Sequence, residues 1–283
     1  MRDGLGPARV RVHGGPLGDE FGARFGPEAA AKVMAGEVVD QHGAVLDATT
    51  VLPAGASVYL YRELRHEVPV PFDIPVLHHD DDIVVVDKPH FLATMPRGRH
   101  VVQTALVRLR RELGLPELAP AHRLDRLTAG VLLFTTRREL RGAYQTLFAR
   151  GEVHKTYLAR AAVNPDVVLP RVVRNRIVKR RSQLQAVCEP GDPNAETLVE
   201  PISSPGLYQL TPRTGRTHQL RVHMAGLGIP IHGDPLYPIV IDVPNDDFST
   251  PLHLLAQRIG FEDPVSGVRR EFVSRRQLPD PMC

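Results

Sequence analysis

The chain has 283 residues, 42% of them hydrophobic, which suffices for a real core in one large domain or a large domain plus a small one. No apolar run is long enough to span a membrane and no charged-then-apolar leader opens the sequence, so a soluble cytoplasmic protein, monomeric, is expected. Cys188 and Cys283 are too few for a disulfide framework or a four-cysteine metal site, and the net charge is only +3.

Residues 1–24 are rich in Gly, Arg and Pro with little periodicity and read as a flexible lead-in. A small module is expected over 25–66: EAAAKVMAGEVV reads as a short helix ending at Gly36 and then a strand. HGAVLDATTVLPAGASVYLY follows as short strands separated by turns. Pro69, Pro71 and Pro75 make 67–75 a stiff linker. The rest, 76–283, reads as one large domain.

That domain opens with a buried-type strand at Ile83–Val86, with acids before it and Asp87-Lys88-Pro89 after it. VVQTALVRLRREL (101–113) places Val102, Ala105, Leu106, Leu109 and Leu113 on one helical face. Gly130–Thr136 reads as a strand, RRELRGAYQTLFAR as an amphipathic helix ending at Gly151, and 154–163 and 196–203 as strands. In 207–237 the pattern is a strand, a Thr-Gly turn, a helix from about Thr217 to Ala225 and a Gly-Pro-broken return. A hairpin around Pro264–Gly267 follows. Strands outnumber helices and rarely alternate with them, so the expected class is α+β, with a mainly antiparallel mixed sheet flanked by helices.

Charge is unevenly spread. Residues 71–160 hold 14 basic and 10 acidic side chains, whereas residues 1–70 hold 7 and 9. The block RVVRNRIVKRR at 171–181 carries six cations and no acid, a solvated strand or a nucleic-acid contact.

Two segments concentrate polar chemistry. In AHRLDRLTAGVLLFTT (121–136), Asp125 lies between Arg123 and Arg126, with His122 ahead of it and a Thr128-Ala-Gly turn behind. Flanking cations favour the carboxylate. Such a group can serve as nucleophile or base, or simply form a loop salt bridge. In PRTGRTHQLRVH (212–223), a helix would put His218 and Arg221 one turn apart while Leu220 points elsewhere. Arg221 is then either a surface arginine or the partner that aims Asp125. Lys155 and Tyr157 share one side of a strand, where the tyrosine is core packing or a stacking platform for a base. His78-His79 and His218/His223 match no zinc spacing, and neither a phosphate loop nor a dinucleotide fingerprint is present. No metal and no nucleotide cofactor are expected.

Together these segments resemble the RluA family of RNA pseudouridine synthases. HRLDRLTAG, Asp87-Lys88-Pro89, Lys155-Thr156-Tyr157, TGRTHQLRVH and GIPIHGDPLY carry the resemblance, in order over residues 76–275. Ala129 stands where the family usually has Ser, and His90 where a small residue commonly follows the Asp-Lys-Pro run. The small module is similar to an RNA-binding module first described in a ribosomal small-subunit protein. The resemblance implies isomerisation of uridine to pseudouridine without a cofactor, in ribosomal RNA, large-subunit RNA in particular, with transfer RNA or a non-catalytic RNA-binding role as alternatives. It implies Asp125 as the essential acid, nucleophile or base, paired with Arg221, while Tyr157 and Leu220 close the two faces of the base pocket. Arg123 would fill the gap left by the flipped nucleotide. His122, Thr128, Lys155, Arg216 and His218 would complete the substrate site, and the cations of 97–111 and 171–181 would contact phosphates.

Overall fold

The computed structural model describes residues 4–61, 66–202 and 204–278. Cys283, Ser203 at the end of the expected 196–203 strand, and residues 62–65 at the end of the expected small module lie outside the described residues. Two units emerge, Met1–His66 and Glu67–Cys283.

The first unit contains β1 (Ala8–Arg11), β2 (Gly15–Pro16), α1 (Leu17–Phe25), α2 (Pro27–Met34), β3 (Val38–Val39), β4 (Val51–Leu52) and β5 (Ser57–Leu60). Its antiparallel sheet runs β1-β5-β3, and β2 pairs with β4. The expected flexible lead-in over 1–24 is corrected here. Val10, Val12, Leu17 and Phe21 are buried with Val33, Val38, Val58 and Leu60. The strand alternation of Val10/Val12 and the one-turn spacing of Leu17/Phe21 are both present in the sequence. They are short and sit among glycines, which hides them from a composition reading.

The second unit contains β6 (Val76–His79), β7 (Ile83–Lys88), α3 (Ala105–Glu112), β8 (Ala119–Pro120), β9 (Ala129–Thr135), α4 (Arg141–Arg150), β10 (His154–Arg160), β11 (Arg171–Val178), β12 (Val187–Glu189), β13 (Ala195–Pro201), β14 (Leu207–Pro212), α5 (Gln219–Gly226), β15 (Leu254–Glu262) and β16 (Arg269–Val273). One sheet holds all eleven strands, in the order β12-β11-β13-β14-β10-β15-β9-β7-β6, with β16 on β15 and β8 on β9. Its pairings are antiparallel apart from β15 with β9, which is parallel. The class is α+β with a mixed, mainly antiparallel sheet.

Burial on both faces explains the continuous apolar runs. Val84, Val86, Leu132 and Phe134 face Leu106 and Leu109 of α3. The alternating residues Ile83, Val85, Val131 and Leu133 face Tyr144 and Leu147 of α4. At the other half of the sheet Val199, Tyr208 and Leu210 pack against Leu220 and Met224 of α5. The parallel join is where the halves meet. There Gly130 pairs with Ala256, Ala256 with Tyr157, and Tyr157 with Leu210, a row across four strands. Adjacent strands are ~4.8 Å apart, so this row fixes the place of Tyr157 relative to the loop that enters β9.

Candidate active site

The loop entering β9 carries His122 to Thr128, and it is held from behind by the segment after β7. Thr94 Oγ1 donates to the Leu124 carbonyl (2.8 Å) and accepts from the Leu124 N–H (3.1 Å). Lys88 is fully buried; its ammonium donates to the carbonyls of Pro89 (2.9 Å), Leu92 (2.7 Å) and Arg126 (3.4 Å). Burial pulls the Lys88 pKa well down, against the pull of Asp125. His90 Nδ1 sits 2.7 Å from the Leu127 carbonyl; burial lowers its pKa to about 4, so the neutral ring donates that bond at neutral pH. Thr128 N–H donates to the Asp125 carbonyl (3.1 Å), closing the turn. Four consecutive residues, 124 to 127, thus have backbone carbonyls fixed by named donors.

Asp125 emerges from this loop into a cavity of about 970 Å³. Its carboxylate is 31% exposed, and Arg221 Nη1 lies 3.9 Å from Oδ2. The flanking arginines are not its partners. Arg126 donates to the Phe91 carbonyl (3.4 Å), while Arg123 is exposed in the cavity wall. Arg221 itself is 3% exposed and holds a second carboxylate more tightly than Asp125. Nε and Nη2 donate to Asp234 Oδ2 and Oδ1 at 2.8 and 2.5 Å. Burial opposes the Arg221 charge, and the Asp234 pairing outweighs it and raises the pKa. The expected Asp125–Arg221 pair is therefore present, and Arg221 carries in addition a shorter bidentate pair with Asp234, which Asp125 faces from the cavity side. Asp234 also accepts from the backbone N–H groups of Leu236 and Tyr237, and the Tyr237 ring lies under the guanidinium at 5.3 Å.

Helix α5 starts later than its sequence pattern suggests. His218 sits at φ 58°, ψ 17°, outside the helix, and its Nδ1 is 3.0 Å from the Tyr237 hydroxyl. The reason is Gln219, whose side-chain oxygen accepts from Thr214 Oγ1 and Arg216 N–H while its amide donates to the Glu196 carbonyl and Thr197 Oγ1. That buried hub ties the 214–216 turn to β13 and twists the chain at His218. Leu220 lines the same cavity as Arg221, where the family resemblance had placed it.

Tyr157, Lys155, His122, Thr128, Arg216 and His218 line the cavity as well, with Lys179 just past the end of β11. Burial raises the Tyr157 pKa, with Asp125 adding to the shift, so the ring is a neutral phenol. Burial lowers the pKa values of Lys155 and His218. His122 stacks on Phe148 (4.2 Å, 15°), and its Nε2 accepts from Leu133 N–H (3.2 Å); burial takes its pKa to about 3. His122 thus buttresses the loop with a neutral ring. Asp234, Gln219 and the α4 wall residues Arg141, Gln145 and Phe148 were not singled out from sequence. Asp234 stands in the quoted GIPIHGDPLY segment, and that segment was the only signal for it.

A carboxylate open to a cation-lined cleft, with a phenol ring and a leucine side chain in its walls, is a site for chemistry on a flat, phosphate-linked ligand. The model of the RNA pseudouridylate synthase family matches residues 82–226, and the chain belongs to that family. It is similar to the mouse pseudouridylate synthase RPUSD2 (37% identical over 180 residues, 61% of this chain and 32% of that protein). It also matches the mitochondrial tRNA pseudouridine(32) synthase of Saccharomyces cerevisiae (36% over 202 residues, 68% and 43%). An uncharacterised RNA pseudouridine synthase of Haemophilus influenzae is 33% identical over 168 residues, 58% of this chain and 74% of the relative. The chain spans about a third of the mouse relative and two fifths of the yeast one. Among solved structures, human RNA Pseudouridylate Synthase Domain Containing 4 superposes with a TM-score of 0.55 at 28% identity, covering 72% of this chain and 88% of that one.

Proposed function

We propose that this chain isomerises uridine to pseudouridine in RNA, with Asp125 as the essential carboxylate. The observation that carries the reading is the position of Asp125, partly exposed in the cleft beside Arg221 and in the same cavity as Tyr157 and Leu220. A flipped uracil placed between the tyrosine ring and the leucine side chain presents its ribose to the carboxylate. The bond from C1′ to N1 breaks, the uracil turns, and C1′ joins C5; the C5 proton is lost and N1 gains one. Nothing is oxidised or reduced. Asp125 acts at the ribose, as nucleophile or base, with Arg221 aiming the carboxylate. Arg123, exposed in the cleft wall, stacks where the target base has left the RNA, offsetting part of the few kcal/mol that flipping costs. His218, Arg216 and Lys155 contribute donors along the cleft, and Thr128 holds the turn.

Ribosomal RNA, large-subunit RNA in particular, is the substrate class we propose, and the small N-terminal module and the basic block at 171–181 are compatible with it and with transfer RNA alike. One observation favours a second reading, transfer RNA: the yeast relative that matches 68% of this chain carries a tRNA-specific name. Mapping pseudouridines in both RNA classes with and without the protein separates them.

The test of the chemistry is Asp125→Asn. Pseudouridine formation, followed by tritium release from C5, falls at least ~1000-fold while RNA affinity stays within about twofold, since only a reacting group is altered. Near-normal turnover in that variant would remove the assignment.

A further inference from the structure

The cleft continues past Asp125 to β8, where its wall includes residues outside the five segments that carry the family resemblance. There α3 and α4, which cover opposite faces of the sheet, both reach the short segment that leads into β8. Arg110 of α3 donates through Nε to the Leu118 carbonyl (3.0 Å), and Arg141 of α4 donates through Nη2 to the neighbouring Glu117 carbonyl (2.6 Å). Both residues line the cavity. Gln145, one turn along α4 from Arg141, donates to the Pro120 carbonyl (3.3 Å) and stands in the same wall.

These two cations are neighbours by construction, since consecutive carbonyls anchor them. Burial lowers the Arg110 pKa, and the Arg141 charge lowers it further. Arg141 has no ion pair among the described residues, and its Nε is buried without a hydrogen-bond partner. Holding two like charges together is unfavourable, and a bound anion relieves it. Arginine forks match phosphate oxygens in geometry as well as charge.

We propose that Arg110 and Arg141 form a phosphate site at the β8 end of the cleft, which takes a backbone phosphate of the RNA strand flanking the flipped uridine. The site rests on the reading of the cleft as an RNA-binding groove. Arg110 belongs to the 97–111 cations expected to contact phosphates, and Arg141 adds to them a role for α4 in substrate binding. Because it grips the backbone and not a base edge, it contributes affinity and register without sequence preference.

The experiment is fluorescence anisotropy of the full chain with a labelled single-stranded oligouridylate over a series of salt concentrations. Each phosphate contact on a single strand contributes about 0.7 to the slope of log affinity against log salt. Arg141→Gln lowers the slope by about that amount, whereas Arg141→Lys, which keeps the charge and loses the fork, retains it. Arg150→Gln, a change at the far end of α4, serves as the surface-charge control and leaves the slope unchanged. A wild-type slope in Arg141→Gln, or an equal loss in Arg150→Gln, overturns the proposal. So does an Arg141→Gln variant that loses competition by inorganic phosphate yet keeps its RNA slope, because the site then takes a free anion. Thermal melting of each variant separates a lost contact from a lost fold. The measurement needs no turnover, so a wild-type protein that makes no pseudouridine refutes the proposed activity and leaves the phosphate site to stand or fall on the slope.

Discussion

At the scale of single residues the instructive side chain is Asp234. The sequence exposes Asp125 and Arg221 because each sits in a dense polar segment, and pairing them is the simplest inference. Which carboxylate an arginine actually holds depends on where a helix and a loop meet in space, and that is not written in either segment. Arg221 has five N–H donors, and a carboxylate matched to its fork uses two of them. Asp234 takes that position and leaves Nη1 turned toward Asp125 at 3.9 Å. Asp125, the carboxylate proposed to act at the ribose, is thus held by the longer contact, while Asp234 fixes the guanidinium beside it. Asp234→Asn tests this division. It keeps shape but removes the charge beside a buried arginine, which costs about 3 kcal/mol of stability. The guanidinium then swings toward Asp125, and turnover falls roughly 10- to 100-fold with little change in KM for RNA. Chemical denaturation and steady-state kinetics check the two halves; an unchanged stability and turnover would show that Asp125 is the main partner after all.

At the scale of elements, periodicity located most helices and strands of the second unit, because burial on one face or both leaves a repeat of 3.6 or 2 residues or a continuous run. It missed residues 8–24 of the first unit, whose strands and turns are too short to show a repeat. It also started α5 too early, since the buried Gln219 hub overrides the local preference at His218. Gly130 in the HRLDRLTAG segment reads as a turn glycine and is instead a packing glycine. Its φ of +113° is one requirement, and the parallel join is the other: a Cβ there would lie 2.2 Å from the Ala256 carbonyl oxygen. Ala256 cannot yield, because it pairs with Tyr157 on its other side. Gly130→Ala is therefore expected to destabilise the protein by about 3 kcal/mol or more, through a positive φ and a backbone clash together. Tyr157 would be displaced along with the strand, so activity falls before the protein unfolds. A melting temperature equal to wild type would mean that β9 and β15 can separate locally without cost.

At the scale of the whole molecule, the second unit holds three buried histidines, His90, His122 and His223, in neutral form, and this makes its stability depend on acid. His90 and His223 have pKa values lowered to about 4 and His122 to about 3, in each case by burial first. The rings are anchored as neutral groups: His90 at the Leu127 carbonyl, His122 at the Leu133 N–H, and His223 at the Asn175 side chain (2.9 Å). In the unfolded chain each titrates near 6.5. Between about pH 6.5 and pH 4 the unfolded state therefore binds protons that the folded state refuses, and the slope of stability against pH is positive. The free energy of unfolding drops as pH falls through that window, and His223, 1% exposed, alone accounts for a loss of at most about 2 kcal/mol by pH 5. The paired carboxylates pull in the same direction only lower down, since the Asp80 pKa is itself depressed. Urea denaturation at pH 7.5 and pH 5 should show the midpoint moving to lower urea at pH 5, with half or less of that shift remaining in a His90→Asn, His223→Asn double variant. A midpoint independent of pH across this range would mean that these rings titrate alike in the folded and unfolded protein, and burial would then not hold them neutral.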